Sequence, residues 1–220
     1  MNKMVYTPIN YDSWNFEGKG VNILHLLSPI ELKIWNSAFP FQDKRDDKGH
    51  AEFVTYFALN LLKQIKAERG IVIPAAILHD IGWSQLPRTE IERFYLPNWR
   101  DYELELRKRH QEEGIKVAER ILTFQEYPKE FTSEILSVIS QHDTRKGFYS
   151  PEDGVVRDAD KLWQFTLPHW EIFLTIRNFS PEDLYRLLKD RISTTTLYSR
   201  ISPKIAELEL ENTVTSFKKT

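Results

Sequence analysis

Pro74-Ala75-Ala76-Ile77-Leu78-His79-Asp80-Ile81-Gly82 is a short apolar run that delivers an adjacent histidine and aspartate and then stops at a glycine. Imidazole and carboxylate are side chains that divalent transition metals select, and burying them costs free energy unless they are satisfied there. The Ala-Ala-Ile-Leu composition suits a helix packed closely on most sides. The stretch therefore predicts a buried helix over Ala75 to Ile81, opened by Pro74 and carrying a polar pair at its end.

Upstream, Ser28-Pro29-Ile30-Glu31 has the form of a capped helix start, and that helix is expected to end near Phe39, before Pro40. From His50 the residues Phe53, Val54, Phe57, Leu61, Leu62 and Ile65 recur at helical spacing, so His50 faces inward from a helix that Gly70 ends. Residues 83–99 are rich in breakers and aromatics and read as an excursion with one short helix near Thr89 to Phe94. Downstream, Leu104, His110, Gly114, Val117, Ala118, Ile121 and Leu122 trace one face of a helix over 101–124. Pro128 opens another helix, with His142 at its inward C-terminal end. Asp158 reads as the cap of a helix starting at Ala159, and helical segments follow over 167–176, 181–192 and 203–217. The expected class is all-α.

At 220 residues, 41% of them hydrophobic and 28% charged, the chain has the profile of a globular domain with a substantial core. A net charge of -2 with interspersed signs argues against a nucleic-acid surface, and no stretch reaches membrane-spanning length. The N-terminal residues lack the apolar segment of a secretory signal, which makes a cytoplasmic protein the expectation. With no cysteine, any metal must be held by nitrogen and oxygen.

The inward-facing polar residues are His50, His79, Asp80, His110, His142 and Asp160, and they include four of the six histidines; His25 and His169 are read as structural. Their order and local contexts, Gly49-His50, Leu78-His79-Asp80-Ile81-Gly82, His110-Gln111-Glu112-Glu113-Gly114, Gln141-His142 and Ala159-Asp160-Lys161-Leu162, resemble the HD-domain superfamily of metal-dependent phosphohydrolases. The resemblance implies a compact helical bundle with an HD core at about 45–175; the length makes residues 1–220 a single domain, with an N-terminal arm over 1–44 and a C-terminal helical extension over 176–220 that the resemblance does not cover. It also implies that His50, His79, Asp80 and Asp160 hold one metal, and that His110 and His142 hold a second with Asp80 bridging, which makes Asp80, His110 and His142 the catalytic set. Adjacent helical side chains diverge by about 100°, which agrees with an imidazole serving one ion while a carboxylate touches two. A donor set without thiolate suits manganese, iron, cobalt, nickel or zinc.

The activity so implied is hydrolysis of a phosphomonoester or phosphodiester of a small, nucleotide-like substrate by a metal-activated water. Lys161, Arg145 and Lys146 are candidate contacts for the anionic substrate. Many phosphodiesterases of the family carry a lysine after the His-Asp-x-Gly segment, where this chain has Trp83, which offers instead an aromatic surface for a substrate ring. Tyr95, Trp99 and Trp163 are further aromatic candidates. The same six-ligand pattern occurs in di-iron oxygenases resembling inositol oxygenase, which is the second reading, and a metal-binding regulatory module without turnover is the third. The expected partner is a small phosphorylated molecule, and a homo-oligomer is compatible with the sequence.

Overall fold

The computed structural model describes residues 6–11, 23–96 and 98–219. Trp14 and Phe16 of the N-terminal arm lie outside the described residues, as does the side chain of Tyr95. The described residues form ten α-helices and no strand: α1 (Pro29–Ala38), α2 (His50–Leu61), α3 (Arg69–Leu78), α4 (Arg88–Ile91), α5 (Arg100–Phe124), α6 (Lys129–Ile139), α7 (Pro151–Leu162), α8 (Leu167–Arg177), α9 (Pro181–Thr194) and α10 (Ser202–Phe217). None is long and apolar enough to cross a membrane. The fold is all-α.

α3 is the centre. It packs against α1, α2, α6 and α7, and every residue from Ile71 to Leu78 is buried. A helix that is apolar all round can only be stable where other helices enclose it. α1 begins as its sequence predicts, with Ser28 and Glu31 forming a reciprocal capping box. Ser150 and Ser180 cap the Pro-containing starts of α7 and α9, each hydroxyl accepting from the amide three residues on.

Two expected boundaries differ. α2 ends at Leu61, where bonds such as Lys63 N–H to the Asn60 carbonyl tighten the chain into a turn, and α3 starts at Arg69 with the Glu68 carboxylate accepting from the Gly70 amide. Gly70 thus lies in the first turn of α3 and Pro74 inside it. Proline lacks the N–H that would bond the carbonyl of residue 70, and the Tyr127 hydroxyl donates to that carbonyl at 2.7 Å instead. Gly70 also admits the Phe131 ring, which a Cβ there would approach to 2.8 Å. Tyr127→Phe should cost about 1 kcal/mol and lower Tm by about 2–4 °C in a calorimetric scan. An unchanged Tm would show that solvent satisfies the Gly70 carbonyl equally well.

Two further expectations are corrected. Leu104 is exposed on the first turns of α5, and the inward face starts only at Leu106. Asp158 does not begin a helix. It sits fully buried inside α7, where its carboxylate accepts from the Tyr198 and Ser199 amides at 2.7 and 2.8 Å and from the Ser202 hydroxyl at 2.6 Å, anchoring the entry to α10.

The excursion after Gly82 folds as 3-10 turns around α4, over a small apolar cluster of Trp83, Leu86, Ile91, Phe94 and Leu106. The turn at Ile81–Gln85 packs directly on α5. At the opposite end of the chain, buried Glu209 of α10 accepts from the Tyr6 and Tyr11 hydroxyls and the Ile9 amide, fastening residues 6–11 to the C-terminal helices.

Candidate metal centre

Five elements bring polar side chains to one point. Gly49, at φ 88°, turns the chain into α2 so that His50 is its first residue, and the Asp43 carboxylate holds the Gly49 and Ala51 amides at 2.8 and 3.1 Å. His79 and Asp80 leave the C-terminal end of α3, and His110 projects from α5. His142 lies in the turn after α6, and Asp160 in the last turn of α7. The four imidazoles are at most 3% exposed.

Asp80 is shared. Its Oδ2 lies 3.2 Å from His50 Nε2 and 3.8 Å from His79 Nε2. Its Oδ1 lies 3.3 Å from both His110 Nε2 and His142 Nε2. Asp160 Oδ1 completes the first half at 3.3 Å from His50 and 3.5 Å from His79. All six residues predicted from sequence as ligands therefore meet, divided between the two oxygens of one carboxylate.

The tautomers show why a cation fits. His110 and His142 turn Nδ1 toward the carbonyls of Leu106 and Ile139, at 3.3 and 2.9 Å, so each donates an Nδ1 proton there and turns Nε2 to the centre. Those two Nε2 atoms face each other at 3.4 Å with Asp80 Oδ1 against both. Converging acceptor atoms repel unless a proton or a metal cation joins them. His79 is fixed likewise by the Ala76 carbonyl at 2.9 Å, and its Nε2 lies 2.9 Å from that of His50.

Without metal, the same field acts on protons. Burial pushes the His50 imidazole down, but hydrogen bonds to Asp160 and Asp80 raise it to about 10. Burial also pushes the His142 imidazole down, while Asp143 and Asp80 raise it to about 9. His110 is held below its ordinary value by burial. Burial pushes Asp80 up, yet its surroundings, the His79 ring and the Arg45 guanidinium foremost, keep it well below the usual carboxylate range. The site draws positive charge, and its nitrogen and oxygen donors can hold divalent metals.

Above this floor opens a cavity of about 590 Å³, whose wall includes Arg45, Arg100, Arg107, Arg157 and Lys161. Lys161 donates to the Thr196 carbonyl at 2.6 Å. Trp163 also lines the cavity, its ring edge-on to His50 at 5.3 Å. Other predicted substrate contacts sit elsewhere. Trp83 is 1% exposed and stacks on His110 at 4.1 Å with the Arg45 guanidinium over its ring, so its aromatic face backs a histidine instead of facing a ligand. The Arg145 guanidinium turns to Asp153 and the Ser137 carbonyl and lies over Tyr149, outside the cavity lining. Lys146 is exposed on the same loop and Trp99 packs against Phe94; neither lines the cavity. His25 is exposed, and His169 is buried among Trp163 and Phe173.

Sequence reasoning passed over three residues of the site. Arg45 bonds Asp80 Oδ2 at 3.3 Å from a loop whose alternating charges gave no sign of which one turns inward. Arg107 pairs with Asp143 from a helix face rich in charge. Asp143 follows His142 as Asp80 follows His79, and this second His-Asp dipeptide was a readable signal.

Comparison with curated proteins and with solved structures finds no match. The HD domain family model matches residues 48–163, more than half of the chain and the segment that carries every one of the six converging residues. On that match the chain belongs to the HD domain family.

Proposed function

We propose that this protein is a phosphohydrolase that uses two divalent metal ions to cleave a phosphomonoester or phosphodiester of a small, nucleotide-like molecule. The HD superfamily is one of metal-dependent phosphohydrolases, and the observation that carries the finer reading is the division of Asp80, one oxygen to each pair of imidazoles. His50, His79 and Asp160 would hold one ion with Asp80 Oδ2, and His110 and His142 the other with Asp80 Oδ1. Bound there, the ions supply Lewis acidity toward a water and toward phosphoryl oxygens.

The chain's own residues do the rest. Imidazole Nδ1 protons held by backbone carbonyls keep His79, His110 and His142 in the tautomer that presents Nε2. Lys161, its amine oriented by the Thr196 carbonyl, binds a phosphoryl oxygen at the cavity wall together with Arg100. Trp163 supplies the aromatic surface for the rest of the substrate, in the place first read for Trp83. Arg145 braces the loop behind the rim through Asp153 and the Ser137 carbonyl. We read the HD core as one unit with both terminal segments, because a single core cluster extends from Ile9 to Leu210.

The test uses protein purified without chelator and a panel of phosphorylated metabolites and aryl phosphates with added manganese, cobalt or nickel. Phosphate release that a chelator abolishes and manganese restores is expected. Oxygen uptake that depends on substrate, without phosphate release, would replace this reading with the oxygenase one.

A further inference from the structure

Asp143 has no place in the six-residue set, yet it is built into the same floor. It is held in the turn after α6 by its amide, which donates to Gln111 Oε1 at 3.2 Å. Gln111 is itself buried beside His110 on α5, and its amide nitrogen donates to the Arg107 carbonyl at 2.6 Å and to Thr144 Oγ1 at 3.3 Å. Asp143 Oδ1 takes the Arg107 guanidinium, whose other nitrogens are tied to Glu103 at 3.0 Å. This fork fixes the carboxylate so that Oδ2 points inward, 3.5 Å from His110 Nε2 and 3.7 Å from His142 Nε2.

Pairing with Arg107 does not account for that orientation. Arg107 occupies only Oδ1; Oδ2, in a side chain only 12% exposed, is turned to two imidazole Nε2 atoms whose Nδ1 protons are already held by carbonyls, a place where a proton or a metal cation must join the three atoms. The arrangement is favourable when a cation is shared. It also repeats the other half of the floor, where Asp160 Oδ1 stands 3.3 and 3.5 Å from His50 and His79. Each half then contains two imidazole Nε2 atoms, one oxygen of Asp80 and one oxygen of an aspartate of its own.

We infer that Asp143 is a ligand of the second metal, so that the centre consists of two sites with the same donors, and that Arg107 is its positioning residue. This rests on the two-ion reading above. Its consequences concern the ions themselves. Equal donor sets favour the same element in both sites with comparable affinity. Three carboxylates against two divalent ions leave the loaded centre with a single positive charge to meet a phosphoryl group.

The experiment titrates the full chain, stripped of metal, with manganese alone and follows bound ions per chain by equilibrium dialysis and the spin-coupled manganese signal by electron paramagnetic resonance. Wild type should take up two ions and show coupling. Asp143→Asn should lose the coupled signal and bind its second ion roughly a hundredfold more weakly, as Asp160→Asn should at the other half. Arg107→Met should weaken the second step severalfold with the donors intact, and Asp143→Ser gives the same reading if the asparagine variant fails to fold by circular dichroism. An Asp143→Asn protein that binds two ions at wild-type affinity and only loses turnover makes Asp143 a proton carrier and overturns the inference alone. A wild type that binds a single ion overturns the two-ion reading and the inference with it.

Discussion

Asp80→Asn should abolish phosphate release, by roughly 10³-fold or more, and remove the rise in Tm expected of the wild-type protein with manganese. Asparagine keeps the shape of the side chain and offers one oxygen where the carboxylate offers two, so it can face only one of the two imidazole pairs that Asp80 Oδ1 and Oδ2 now serve. The change also removes the negative charge against which His79, Arg45, His110 and His142 are arranged. Arg45 keeps its bonds to the Asp47 carboxylate at 3.2 Å, which leaves the loop before α2 anchored and the metal-free protein folded. The check combines activity, metal content and thermal melts with and without manganese. A variant that retains metal and more than a tenth of the activity would show that Asp80 is not shared.

Gly82→Ala should leave little folded protein. A methyl at Gly82 would run into the His110 carbonyl oxygen and the Gly114 amide nitrogen, and would come within 2.8 Å of the Gly114 Cα. All three belong to the backbone of α5 and cannot rotate away. The helix and the 81–85 turn must separate, which exposes Trp83 and draws His110 away from Asp80, at a cost above ~4 kcal/mol. Gly147→Ala is the control. That glycine has φ 68° with nothing within 4 Å of its added Cβ, so only backbone strain of about 1 kcal/mol opposes the change. Soluble yield and urea midpoints decide between them; a Gly82→Ala protein as stable as the control would mean that the turn does not need this contact.

These contacts show which parts of the molecule local rules could reach. The capping box at Ser28 and the inward stripe that carries His50 follow from spacing alone, because both are decided within one or two turns of helix. Pro74 misled for the opposite reason. A proline inside a helix normally leaves a carbonyl unpaired, and the group that pairs it here, Tyr127, is 57 residues away along the chain. Arg45 and Arg107 were illegible because a charged residue in a charged segment carries no mark of direction, and their partners Asp80 and Asp143 come from other elements. Trp83 was read as a surface because nothing beside it in sequence says that α5 will cover it.

The clasp at Glu209 bears on how the molecule is made. The Ile9 amide and the Glu209 carboxylate are 200 positions apart, and Tyr11 packs against Phe53, which in turn meets Trp163 beside His50. A nascent chain therefore lacks the Glu209 partner of residues 6–11 until α10 has been made. Glu209 and Thr213, which hold the Tyr11 hydroxyl from α10, lie beyond residue 163, so the region that matches the HD family gains this support only after its own last residue has been added.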